Sequence, residues 1–136
     1  MENTVTAFLK EEIRHPELSE PLSHYTDAVR FGNLLFISGI APLDSKGNLV
    51  GKDDPVAQTE CILAITKKLL DHAGAGFEDI LKVTVFLTDI SHRTLINPVR
   101  QKYFGKAKPA STLIEVSALA VPGMMVEIES VVGLRG

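Results

Sequence analysis

Glu127 and Glu129 stand two residues apart in an otherwise apolar run near the C-terminus, Val126-Glu127-Ile128-Glu129. In an extended strand that spacing puts both carboxylates on one face. A carboxylate on a half-buried face can position or deprotonate a water, because partial desolvation moves it toward a general base. The plainer alternative is a pair of solvated or ion-paired surface acids. A second suggestive run, Phe36-Ile37-Ser38-Gly39, places a serine and a glycine at a strand end. A glycine there either lets a ligand approach the backbone closely or marks a bulge.

Other chemistries find little support. The four histidines, His15, His24, His72 and His92, show no His-Glu-x-x-His or i, i+4 spacing, so no metal is expected. The single cysteine, Cys61, can form neither an internal disulfide nor a thiolate cage, and it reads as inert helix packing in a reducing cytoplasm. No Gly-x-Ser-x-Gly elbow occurs, and Gly74-x-Gly76 follows a helix instead of opening one, so no nucleotide cofactor is indicated. Arg93, Arg100, Lys102, Lys106 and Lys108 crowd one stretch. Without interleaved aromatics they read as a solvated helix face, and with 14 basic against 17 acidic residues nucleic acid is not the expected partner.

The elements that must carry these residues follow from periodicity. A chain of 136 residues, 45% apolar and 23% charged, predicts one soluble domain with no membrane span or secretory start in its first twenty residues. Residues 1–20 read as an N-terminal extension, a short helix or a mobile start, and 21–136 as the core. Tyr25 to Phe31 and Asn33 to Ser38 predict a hairpin about Gly32-Asn33. Asp54-Pro55 opens a helix with Ala57, Cys61, Ile62, Ile65, Leu69 and Ala73 as its apolar stripe and Gln58 turned away; Gly74 closes it. Ile80 to Asp89 alternates as a half-covered strand with Leu81, Val83, Val85 and Leu87 inward. Ser91 to Phe104 reads as a helix with Leu95, Val99 and Tyr103 in line; Pro98 either starts its main part or kinks it. Thr112 to Ala118 and Met124 to Leu134, joined through Val121-Pro122-Gly123, predict two strands paired antiparallel. The order is that of an α+β layer, a mixed sheet with helices on one face. The final strand mixes Glu127 and Glu129 with Met125 and Val131 on the other face, which suggests cover by another subunit.

Taken in order, Tyr25, Phe36-Ile37-Ser38-Gly39, the run Lys82 to Asp89, Asn97, Pro109-Ala110-Ser111-Thr112, Glu115-Val116 and Val126-Glu127-Ile128-Glu129 resemble the Rid family. These are YjgF-type reactive-intermediate deaminases, once described as translation inhibitors or endoribonucleases. The resemblance spans about residues 20–133. It implies a chorismate-mutase-like α+β fold and a homotrimer whose sheets form an inner barrel, with ligand clefts between subunits. It also implies hydrolysis of small enamines or imines to a carbonyl compound and ammonia without a cofactor. Carried over, Tyr25 lines the cleft, Ser38 and Gly39 form its floor, Asn97 supports its wall and Glu127 holds the attacking water. One departure stands out: where active members carry Pro-Ala-Arg, and a cysteine two positions on, this chain has Ser111 and Leu113. The arginine clamps a substrate carboxylate, and serine cannot replace its charge. Simple 2-imino acids are thereby disfavoured, and the hydroxyls of Ser111 or Thr112 would hold a neutral tail. A relocated charge could come from Arg30, Arg100, Lys106 or Lys108. The competing functions are a ligand-binding trimer without turnover, and RNA binding or cleavage.

Overall fold

The computed structural model describes residues 9–135. Its strands are β1 (Glu11–Ile13), β2 (Ala28–Phe31), β3 (Leu34–Ile40), β4 (Ile80–Leu87), β5 (Ala110–Glu115) and β6 (Val126–Gly133), and its helices are α1 (Pro55–Ala73) and α2 (Arg93–Phe104). The strands form one six-stranded sheet in the order β1-β2-β3-β6-β4-β5. Every neighbouring pair is antiparallel except β4 and β5.

Local chemistry explains the best-defined boundaries. The β2–β3 hairpin turns on Gly32, whose φ of 61 is positive at the first central position, a type II′ pattern that suits strand twist. Asp54 caps α1 by accepting from Val56 and Ala57 N–H groups at 3.1 and 3.0 Å, with Pro55 in the first turn. At the other end Gly74 adopts φ 73, and the Gly74 and Ala75 N–H groups bond the Asp71 and Leu70 carbonyls, a Schellman closure.

Both helices cover one face of the sheet. Leu35 and Ile37 of β3, Val83, Val85 and Leu87 of β4, and Val126, Ile128 and Val132 of β6 meet Ile62, Leu63, Leu69 and Leu70 of α1 and Ile96 and Val99 of α2 in one core. Among the described residues the opposite face has no helical cover and exposes Leu34, Phe36, Leu81 and Ile114. Among the described residues no helix is long and apolar enough to cross a membrane.

Several expectations are corrected. Residues 1–8 lie outside the described residues, but Glu11–Ile13, in the stretch read as a helix or mobile start, form an edge strand on β2. Leu81 is 52% exposed and Ile80 buried in its stead, because a register shift against β6 between Ile80 and Lys82 inserts one extra residue there. Helix α2 runs unbroken through Pro98 from Arg93, so Asn97-Pro98 does not start it. Ile96 and Val99, buried on either side of the proline, supply the packing that holds the helix together there. Leu95 is exposed, its place in the stripe taken by Ile96. The closing strands are not neighbours: β5 pairs parallel with β4, and β6 lies between β3 and β4. Once α2 crosses over from β4, the following strand returns parallel beside it, so the Pro-Gly turn joins strands on opposite sides of β4.

Gln58 reverses its expected orientation. It is fully buried, donates to the Gly51 and Gly123 carbonyls at 3.0 Å each and accepts from Met125 N–H at 2.8 Å. One amide thus ties the loop before α1 to the backbone that leads into β6. Replacing Gln58 by Leu leaves those backbone groups without partners and should lower unfolding free energy by about 2–4 kcal/mol, read as a reduced midpoint in urea with an unchanged slope.

Candidate functional site

Strand β6 presents its side chains alternately to the core and to the bare face, and Glu127 and Glu129 take the bare face. Glu127 stands opposite Phe86 of β4, and Glu129 opposite Thr84. Glu127 is partly buried while Glu129 is exposed. Burial pushes the Glu127 carboxyl above the ordinary glutamate range, and the like charge of Glu129 adds to the effect.

What makes room for that carboxylate is Gly39. A Cβ built there would lie 2.0 Å from Glu127 Oε2, so any side chain at this position collides with it. Gly39 falls where the β3–β6 register shifts between Ile37 and Ile40, so the glycine both marks a bulge and admits a side chain. Beside it opens a cavity of about 370 Å³, lined by Tyr25, Asp27, Ser38, Gly39, Cys61 and Lys68 among others. Ser38 is fixed in this wall: its hydroxyl donates to the Thr26 carbonyl at 2.6 Å and its N–H to the Asp27 carbonyl at 3.0 Å. The Tyr25 hydroxyl accepts from Leu22 N–H at 3.2 Å, which leaves the ring 47% exposed at the mouth. Asp27 anchors the N-terminal strand, accepting from His15 N–H at 2.8 Å and pairing with the Arg14 guanidinium. Cys61 lines this cavity at the margin of the α1 stripe; its thiol contacts the Leu43 carbonyl at 3.8 Å, and burial pushes it up, toward the unreactive protonated form.

Asn97 lies elsewhere. With Ile90, Arg93, Thr94, Arg100 and Leu113 it lines a second cavity of about 470 Å³ between α2 and β5. Ser111 faces this side, and its hydroxyl accepts from Arg100 Nη2 at 3.0 Å. Thr112, next along β5, points to the bare face and accepts from Lys82 Nζ at 2.8 Å.

The structure therefore gathers Tyr25, Ser38 and Gly39 around one cavity, which Glu127 meets through Gly39 from the bare face, and Asn97 and Ser111 at another, with Thr112 on the opposite face of β5 from Ser111. Of the residues read from sequence as a solvated face, Arg93 is exposed and Arg100 half-buried, and both line this cavity. Their i, i+4, i+7 spacing with Asn97 is the signal that would have found them. Of the candidate relocated cations, Arg100 is the one placed beside Ser111. Arg30 instead donates to the Gly32 carbonyl of its own turn at 3.1 Å.

The six-stranded mixed sheet with two helices on one face is the chorismate-mutase-like α+β architecture of YjgF-type proteins. A family model described as Endoribonuclease L-PSP matches residues 16–133, and the chain belongs to this family, the Rid or YjgF group. A RutC family protein of Pyrococcus horikoshii is 37% identical over 123 residues, 90% of this chain and 97% of that protein. The 3-aminoacrylate deaminase RutC of Acinetobacter baylyi is 35% identical over 124 residues, 90% of this chain and 98% of that enzyme. The crystal structure of the Rid family protein YyfA of Yersinia pestis superposes with a TM-score of 0.86 at 32% identity, covering 93% of this chain and all of that one. The family thus includes deaminases.

Because Glu127 Oε2 is the far end of a flexible side chain, Gly39→Ala should displace the carboxylate without unfolding the protein. Stability should stay within about 1 kcal/mol of the parent, while the Glu127 carboxyl, swung into water, should titrate closer to an ordinary glutamate when followed by carbon-detected NMR.

Proposed function

We propose that the chain is a Rid-type deaminase that hydrolyses small enamines or imines to a carbonyl compound and ammonia, in clefts between the subunits of a homotrimer. The observation that carries this reading is the Glu127 carboxylate, partly desolvated and seated on Gly39, which itself lines a cavity with Tyr25 and Ser38. A carboxylate with a raised pKa is a stronger base than an ordinary glutamate, so it is better suited to take a proton from water and return one.

In the reaction an enamine first gains a proton from solvent at carbon and becomes an iminium ion. Water then adds to the C=N carbon while Glu127 accepts its proton, giving a neutral carbinolamine. Glu127 returns that proton to nitrogen, the C–N bond breaks and ammonia leaves, and the hydroxyl releases its proton to Glu127 as the carbonyl forms, which gives back the proton taken up in the first step. Imine plus water thus becomes carbonyl plus ammonia with no redox change, so the scheme needs no cofactor. Tyr25 would flank the substrate, and the fixed Ser38-Gly39 backbone would form the floor.

Two features support assembly. The bare sheet face exposes Phe36, 44% accessible, and Leu34 on β3, with Ile114 beyond β6 and β4 on β5, and a stable monomer seldom leaves large apolar side chains grouped on one face in water. The site residues also line two separate cavities of one chain, an arrangement that a neighbouring subunit could complete. Light scattering should give the mass of three chains, and Phe36→Asp, which places a charge on that face, should give monomers.

The enzyme should accelerate ammonia release from freshly generated enamines, and Glu127→Gln should reduce that rate at least a hundredfold. No acceleration with saturable ligand binding would favour the trimer without turnover. Because the active form of Glu127 is ionised, kcat/KM should fall as pH drops through its raised pKa, with a midpoint above the ordinary glutamate value. Glu129→Gln removes the like charge and should move that midpoint down, extending activity to lower pH.

A further inference from the structure

On α2, Arg93, Asn97 and Arg100 are spaced i, i+4, i+7 and so share a helix face. With Thr94, Ile90 and Leu113 they line the cavity against β5. Arg100 is partly buried, and burial pushes its guanidinium below the ordinary arginine value. Its hydrogen-bond partner among the described residues is a neutral group, the Ser111 hydroxyl at 3.0 Å.

Half of the other cations are paired with an acid. Lys10, Arg14, Lys67, Lys68, Lys102 and Arg135 each lie within 4.0 Å of a carboxylate, whereas neither Arg93 nor Arg100 has an ion-pair partner among the described residues. A guanidinium removed from water without a counter-ion is unfavourable. It becomes favourable when an anion enters, and only one of its five N–H donors is engaged by Ser111.

The surroundings select the anion's shape. Phosphate sites at helix starts rely on free backbone N–H groups. Here the Ile90 N–H is taken by the Glu115 carboxylate and the Ser91 N–H by Asp89, at 2.9 Å each. The remaining donors are side chains: the planar guanidinium forks, the Asn97 amide and the Thr94 hydroxyl, beside the apolar Ile90 and Leu113. That set matches a flat carboxylate on a small carbon skeleton.

We propose that Arg100, anchored by Ser111 and flanked by Arg93 and Asn97, binds the carboxylate of a small acidic ligand, so that the chain takes acidic compounds through a cation on α2. This reverses the neutral tail that Ser111 alone suggests. It deepens the deaminase reading by fixing the charge of the substrate, and rests on that reading only for turnover.

The test compares pyruvate, its uncharged methyl ester and inorganic phosphate, each titrated into the nitrogen-labelled trimer while the Arg100 Nε–H and Asn97 side-chain signals are followed. The parent should bind pyruvate at least tenfold tighter than the ester and tighter than phosphate. Arg100→Gln should bring the acid-to-ester ratio close to one, and Ser111→Ala, which frees the guanidinium without removing it, should lower the ratio by a smaller factor. Arg30→Gln, outside the cavity, should keep it. Equal affinity for acid and ester, phosphate binding tighter than pyruvate, or a ratio unchanged in Arg100→Gln would overturn the proposal; should that variant not fold, an unchanged ratio in Ser111→Ala would do so. A collapsed ratio without ammonia release from any enamine keeps this site and removes the deaminase. Ammonia release with a KM for acidic enamines unaffected by Arg100→Gln does the reverse.

Discussion

The position of β6 between β3 and β4 is the constraint on which the molecule depends. Its Val126, Ile128, Ser130 and Val132 enter the core, and the residues between them take the opposite face. A slip of one residue would turn Glu127 and Glu129 beneath the helices and put valines in water, because side chains alternate with period two. Buried, unpaired carboxylates cost several kcal/mol each, so the register is strongly enforced. Gln58 contributes by holding the Met125 N–H just before the strand begins. The core and the Glu127 carboxylate are therefore set by the same pairing.

Local signals in the sequence were easy to read because their causes are local. The limits of α1 follow from Asp54, Pro55 and Gly74, and the hairpin from Gly32; each acts within a turn of its own position. The alternation of β6 was legible for the same reason. Strand neighbours were not, because Pro122-Gly123 describes only a change of direction, whereas the α2 crossover decides which edge β5 occupies. Leu81 misled because a bulge has no signature in apolar periodicity. Gln58 misled because an amide is hydrophilic by composition, yet fully satisfied it is at home in the interior.

The site was legible residue by residue and illegible as geometry. Glu127, Ser38 and Gly39 were named by type and spacing, and the structure adds that the glycine's absent side chain is the seat of the carboxylate. Ser111 and Thr112 are adjacent in sequence but serve opposite faces of β5, one meeting Arg100 and the other Lys82. Ser111 by itself suggested lost charge, whereas the cation stands eleven positions earlier on a different element. Sequence shows which group is missing from a position; only the fold shows which neighbour leans into the vacated space.

The contact between Gly39 and Glu127 also constrains how such a chain can diverge. Gly39 has no positive φ, so its backbone would tolerate other residues, and the restriction comes wholly from the acid lying on it. Position 39 is consequently not free to drift while position 127 keeps a glutamate. A Cβ there crowds Cδ and Cγ of the acid, at 2.9 and 3.2 Å, as well as its Oε2, so the two positions should change together or not at all. Across descendants of this chain that reciprocity would be written as a paired exchange between two strands, at residues 88 positions apart.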